Sequence, residues 1–149
     1  MIYHLLFPLH TTISVFNVFR YITFRTIYAS LTAFLICFLL GPWVIRKLSY
    51  MQIGQYIRDD GPETHHKKAG TPTMGGTLII FSIIVSTLLW TNLTNYFVWI
   101  VLLVTVGYGA IGFADDYLMQ IKKQSKGLNV RNKFLLQTIL AIVAGILVY

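Results

Sequence analysis

Two adjacent carboxylates, Asp115 and Asp116, stand where the uncharged residues 95–114 give way to a basic run, in the segment "GYGAIGFADDYLMQIKK" of residues 107–123. An ionised carboxylate beside hydrocarbon is costly, so an acid at such a border reaches water, pairs with a cation or has a task. Successive helical residues point about 100° apart. One carboxylate can therefore face a crevice while its neighbour supports it or meets a second ligand, which suits a site with distinct roles for the two acids. If the helix ended at the pair, its negative terminal dipole would disfavour both acids and favour the lysines that follow. Stability alone does not explain them; solvation at the interface is the plain alternative.

The basic residues cluster in two loops. "RKLSYMQIGQYIRDDGPETHHKKAGTPTMGG", residues 46–76, passes from a polar linker into a Gly-Thr-Pro-Thr-Met-Gly-Gly segment. Exposed amides at a helix start, the hydroxyls of Thr71 and Thr73, and the cations Lys67 and Lys68 could hold a phosphate. The phosphate loop of nucleotide hydrolases is excluded, because its terminal Gly-Lys-Ser/Thr is missing. A helix cap with membrane-surface lysines would use the same residues. Asp59-Asp60-Gly61-Pro62 reads as a turn, and His65-His66 without a third ligand nearby is a poor zinc pattern. The second loop, "KKQSKGLNVRNK" over residues 122–133, is basic and turns at Lys126-Gly127.

The elements that must position these groups are apolar helices. Of 149 residues, 56% are hydrophobic and 11% charged, which places most of the chain in a bilayer. The net charge of +7 then points to anionic headgroups or phosphorylated substrates, with no nucleic acid. Spanning takes about 20 mostly apolar residues. Such stretches lie at about 26–45, 71–93 and 95–114, and a fourth, 134–149, is still apolar at Tyr149. Gly41-Pro42 marks a kink or exit near the end of the first. The expected fold is thus an all-α, polytopic transmembrane helix bundle, one integral-membrane domain with loops at about 46–70 and 115–133. Residues 1–20, interrupted by Pro8 and polar side chains, suit an interfacial or partly embedded helix. A cleavable signal peptide fits less well, since the arginines come late and no small-x-small site follows. Gly107, Gly109 and Gly112 with Ala110 and Ala114 thin one side of the third span for close helix packing. The lone Cys37 reads as a small packing residue.

Ten of the twelve Lys and Arg residues lie in the two loops, and none lies between the second and third spans. The positive-inside rule puts both loops in the cytoplasm and the N-terminus outside, against the dissent of Arg20 and Arg25. The acid pair is then at the cytoplasmic mouth of the third span.

Taken together, "FNVFRYITFRTIYASLTA" (16–33), "RDDGPETHHKKAGTPTMGG" (58–76), "GYGAIGFADDY" (107–117) and "KGL" (126–128) resemble the N-terminal portion of the phospho-N-acetylmuramoyl-pentapeptide transferase family, within the polyprenyl-phosphate sugar-phosphate transferase superfamily. The resemblance extends over nearly the whole chain. It implies a bundle of about ten spans, of which about four are present, in the bacterial cytoplasmic (inner) membrane, with a homodimer as a candidate assembly. It also implies transfer of phospho-N-acetylmuramoyl-pentapeptide from UDP-N-acetylmuramoyl-pentapeptide to undecaprenyl phosphate, giving lipid I and UMP, with Mg²⁺ as cofactor. Asp115 and Asp116 match the family's first aspartate pair, as catalytic residues and candidate metal ligands. Lys68 and Thr73 match cleft-lining positions, and Lys126, Arg131 and Lys133 match the basic loop that could meet substrate phosphates.

That chemistry accounts for the position of the acids. Both reactants are anionic phosphates, so attack on a pyrophosphate needs charge neutralisation and in-line positioning, and one reactant is a lipid whose phosphate lies at the membrane surface. The family's remaining aspartates, its asparagine-rich nucleotide segment and its His-rich loop fall beyond Tyr149 in a full-length member. Residues 1–149 alone are therefore expected to have no transferase activity. Two other readings share the pattern: a related transferase for another UDP-linked sugar, and a small non-enzymatic membrane protein whose basic loops bind anionic lipid.

Overall fold

In hydrocarbon a backbone has no water to bond, so a spanning segment must satisfy its own N–H and C=O groups, which a helix does within one segment. The computed structural model describes residues 1–51, 74–121 and 127–149. Among them are five α-helices, two 3₁₀ segments and no strand. Helix α1 covers Ile2–Leu6 and leads into 3₁₀ segments at Phe7–Thr11 and Ser14–Arg20. Four longer helices follow: α2 Ile22–Met51, α3 Gly76–Trp90, α4 Tyr96–Ile121 and α5 Val130–Val148. Within α2, α4 and α5, the stretches Ile22–Tyr50, Tyr96–Met119 and Val130–Val148 are long and apolar enough to cross a membrane, the mark of a multi-pass membrane protein. Helix α3, with 15 residues, rises about 22 Å, short of a hydrocarbon core of about 30 Å.

Several elements depart from the sequence pattern. Helix α2 does not exit at Gly41-Pro42 but runs through Pro42 to Met51. Proline is tolerated in a spanning helix, where neighbouring groups and local adjustment make up for its missing N–H. Gly41 is buried with Leu78 of α3 at 4.0 Å from the position of a Cβ, so this turn of α2 packs inward. The N-terminal segment is broken rather than one interfacial helix, with Pro8 in the first turn of the first 3₁₀ segment. It folds over the end of the α2–α3 pair. The Met1 amine donates to the Leu88 and Leu89 carbonyls at 2.6 and 3.1 Å, and the Leu93 N–H donates to His4 Nε2 at 3.0 Å. Buried Phe19 stacks on Trp90 with ring centroids 6.2 Å apart.

The helices form an open row. Helix α3 packs between α2 and α4, and α4 between α3 and α5; no other pair of these four is in contact among the described residues. The α2–α3 seam is small and polar: Ser82 and Ser86 are buried there, the Cys37 thiol donates to Ser82 Oγ at 3.1 Å, and Ser82 donates on to the Leu78 carbonyl at 2.8 Å. Trp90 Nε1–H donates to Thr32 Oγ1 across the same seam at 2.9 Å. Without a hydrophobic drive between helices in lipid, small residues and such bonds hold spans together, at about 0.6 kcal/mol per bond.

The glycines of α4 do not share one side. Gly107 and Gly109 are two residues, about 200°, apart. A Cβ on Gly107 would lie 2.6 Å from Leu140 of α5, and one on Gly109 would lie 2.6 Å from Ile80 of α3. A Cβ on Gly112 would meet nothing within 4 Å. Glycine thus lets α4 be gripped from both flanks. Gly109→Val should force α3 away from α4 and cost about 1–3 kcal/mol, read as a lower thermal unfolding midpoint in detergent. Gly112→Ala should leave the midpoint unchanged; equal losses in the two variants would refute this packing.

Candidate active site

Helix α4 does not stop at the acids. It continues to Ile121, so Asp115 and Asp116 lie inside its last turns and not at a bare carboxyl end. Asp115 is instead tied to the start of α5. Its Oδ1 accepts the Leu128 N–H at 2.8 Å, and its Oδ2 accepts from Lys133 Nζ at 2.6 Å. Lys133 sits in the first turn of α5, the positive end of that helix, where a cation is disfavoured. The partnership compensates its misplaced charge. With the Asp115 side chain 15% exposed and that of Lys133 40% exposed, the ion pair is partly screened and contributes about 1 kcal/mol or less. Its larger effect is geometric.

The turn itself depends on glycine. Gly127 has φ +54°, the left-handed region, and a Cβ there would stand 2.5 Å from Asp115 Oδ1 and 2.9 Å from Met119 Cγ. Asn129 then caps α5, its side-chain oxygen accepting the Arg131 N–H at 3.4 Å. Backbone amide, carboxylate and ammonium therefore converge where α4 hands over to α5.

Beside this clasp lies a cleft of about 480 Å³ between the start of α3, the last turns of α4 and the start of α5. Thr77, Thr105, Tyr108, Asp115, Asp116 and Lys133 line it, and Gly112 leaves one wall low. Among the described residues no donor or cation pairs with Asp116, so the second acid offers both oxygens in full while each oxygen of the first already accepts one hydrogen bond. No group of three or more His, Cys, Asp or Glu side chains that could hold a metal occurs among the described residues. A hard divalent cation that keeps its waters and takes phosphate oxygens needs only one or two carboxylates. Asp116 fits that requirement, and each Asp115 oxygen, already accepting one hydrogen bond, keeps a further lone pair beside it.

The cleft brings together Asp115, Asp116 and Lys133 of the residues expected from sequence. Arg131 is exposed and does not line it, because two positions along α5 turn a side chain about 200° from Lys133. Lys68, Thr73 and Lys126 lie outside the described residues, as do His65 and His66. Thr77 joins the site from the start of α3, and Thr105 and Tyr108 belong to it but carry no motif. Their signal was periodic: Thr105, Tyr108, Gly112 and Asp116 recur at three- and four-residue steps on one face of α4. At the start of α3, Met74 of the Gly-Thr-Pro-Thr-Met-Gly-Gly segment has φ 70°, uncommon for a bulky side chain. Its carbonyl accepts the Thr77 N–H at 3.1 Å, starting the helix directly at the cleft wall.

Comparison with known proteins bears on the same region. A family model described as phospho-N-acetylmuramoyl-pentapeptide-transferase signature 1 matches residues 68–80, which include the cleft residues Gly76, Thr77 and Ile80. The chain is 67% identical over 150 residues to a phospho-N-acetylmuramoyl-pentapeptide-transferase of Desulfatibacillum aliphaticivorans, covering 100% of this chain and 42% of that protein. It is 66% identical to the protein of that name from Desulfosudis oleivorans, with the same coverage. To the one from Pelobacter propionicus it is 54% identical over 145 residues, 97% of this chain and 40% of the relative. The chain thus spans about 42% of the length of the curated relatives it matches.

The clasp predicts a specific sensitivity. Gly127→Ala should lose about 1–2 kcal/mol from the left-handed backbone alone and more from the collision with Asp115 Oδ1, seen as a lower unfolding midpoint and faster amide exchange at Leu128. An unchanged exchange rate at Leu128 would show that the turn does not depend on this contact.

Proposed function

The chain belongs to the phospho-N-acetylmuramoyl-pentapeptide-transferase family, and we propose that the protein transfers phospho-N-acetylmuramoyl-pentapeptide from UDP-N-acetylmuramoyl-pentapeptide to undecaprenyl phosphate. The observation that carries this reading is the cleft, where residues of the family signature face an acid pair at the end of an apolar helix. A lipid phosphate held at a membrane surface and a water-soluble nucleotide can meet only at such a border. In this reading the acid end of the bundle is cytoplasmic, the membrane is the bacterial inner membrane, and the basic residues beside the acids draw both anionic reactants toward the cleft.

The two acids divide the work. Asp116, whose oxygens have no partner among the described residues, faces the reacting phosphates and would hold Mg²⁺, with Asp115 as a second carboxylate beside it. Bound there, the ion supplies neutralisation of phosphate charge. Asp115 positions: it fixes the start of α5 through Leu128 and holds Lys133 at the cleft wall, where the ammonium can stabilise negative charge on a phosphate oxygen. Lys68, Thr73 and Lys126 complete the phosphate-binding set, and Arg131 adds to the positive field from outside the cleft.

The relevant comparison is made in the intact protein with both substrates and Mg²⁺. Asp116→Asn should lower product formation by about 10²–10³-fold, the scale of removing one electrostatic group from a reacting centre. Asp115→Asn keeps an oxygen for the Leu128 N–H and should lose less. Near-normal turnover by the Asp116 variant would leave the acids a structural role and defeat the proposal.

A further inference from the structure

At the end of the row opposite the acids, a second cavity of about 290 Å³ opens between the start of α2, the end of α3 and the start of α4. Val98 on its rim and Asp115 are both on α4, seventeen residues apart in sequence, which sets the two sites about 25 Å apart along the helix axis. Its polar wall includes Arg25, Asn92, Asn95 and the hydroxyls of Ser30 and three threonines, and its apolar wall Trp90 and Val98.

The hydroxyls of Thr26 and Thr91 already donate to the Ile22 and Thr87 carbonyls, and the nitrogen groups left without a partner are donors. Arg25 Nε is buried with no hydrogen-bond partner, and its guanidinium lies 4.6 Å from the centre of the Tyr3 ring. No carboxylate answers it: among the described residues the acids are Asp115 and Asp116, at the other end. Asn92 spends its side-chain oxygen on the Thr94 N–H and hydroxyl at 3.1 and 2.7 Å, and Asn95 spends its own on the Phe97 N–H at 3.0 Å. Their NH₂ groups have no acceptor among the described residues. Trp90 Nε1–H is already given to Thr32, so the indole adds surface and no polarity. A cation and amide donors around one cavity, with every nearby side-chain oxygen of the two asparagines in use, select an oxyanion.

Depth selects its source. The 30 residues of α2 rise about 45 Å, the thickness of a bilayer with its headgroup layers, so the first turn of α2, with Arg25, falls at headgroup level. Trp90 is the kind of side chain that favours this layer, one side apolar and the other wet. We propose that this cavity binds the phosphate of an anionic lipid headgroup in the leaflet opposite the acid pair. Arg25 supplies the charge, Asn92 and Asn95 the hydrogen bonds, and Trp90 with Val98 the contact for the start of an acyl chain. The proposal is independent of the transferase reading.

The test is native mass spectrometry of the intact protein released from nanodiscs of mixed phosphatidylglycerol and phosphatidylcholine, with retained lipid counted. Arg25→Gln should lower retained phosphatidylglycerol about tenfold, the scale of one charged hydrogen bond. Asn92→Asp keeps the oxygen that Thr94 uses and puts a carboxylate into the cavity; it should lose the lipid too, and it decides the matter if Arg25→Gln fails to fold. Arg20→Gln removes an exposed charge from the same end and should retain the lipid. Wild-type retention by Arg25→Gln or by Asn92→Asp, or equal loss in Arg20→Gln, would overturn the site. Excess inorganic phosphate should leave retention unchanged; displacement by it would overturn the lipid as ligand in favour of a free anion.

Discussion

Asp115 joins the two halves of the acid end. Its carboxylate accepts from a backbone amide and an ammonium that both belong to the start of α5, so one side chain sets where α4 stops being followed by turn and where α5 begins. Neither charge is well placed by itself: the acid is partly buried beside apolar helix, and the lysine stands at a helix end that repels cations. Together they are satisfied, and the arrangement leaves no room for a side chain at Gly127. The freedom of Asp116 follows from the commitment of Asp115. Adjacent positions on a helix cannot point the same way, so binding one acid into the clasp turns the other into the cleft.

The same economy governs the rest of the row. Apolar side chains face outward along the long helices, and Phe19, Ile100 and Leu102 are the buried hydrophobic residues among those described. Where helices touch, serine, cysteine, glycine and threonine on one helix meet each other or a leucine, isoleucine or tryptophan of the next. In water this would be a poor core. Against lipid it is the expected one, because leucine gains little by leaving acyl chains, whereas a hydroxyl gains by finding a partner and a glycine by admitting a neighbouring side chain.

The all-helical, membrane-spanning class was legible in the sequence because it rests on long uncharged runs. The ends of those runs were less so. Pro42 reads as a kink or an exit and, of the two, the exit is ruled out: it sits inside α2, since a proline in lipid is judged by its neighbours and not by water. The third apolar run ends at Ala114, yet α4 continues to Ile121: charge marks where the membrane ends, and helix propensity does not change there. At the site, Asp115 and Asp116 stood out as a pair, but their unlike surroundings did not, because the partner of Asp115 comes from Leu128 and Lys133 across a turn. The small residues of α4 suggest one thin side; two-residue spacing puts Gly107 and Gly109 on opposite flanks, a point helical geometry decides without coordinates. In the charge pattern Arg25 is only an exception to the positive-inside rule. Its unmet hydrogen-bonding capacity needed the neighbours from α3 and α4 to become visible.

Among the described residues, each long helix touches only the long helices next to it in the chain. Such a row can be assembled in the order of synthesis, since no helix waits for a distant segment before finding its partner. The α2–α3 hairpin can settle while α4 is still emerging, and α5 then docks on a surface already in place. Low separation between partners favours rapid assembly and keeps unpaired polar seams short-lived in the membrane. The price is paid at the margins: among the described residues the outer faces of α2 and α5 have no protein neighbour, and their apolar side chains are left for lipid or further protein to cover.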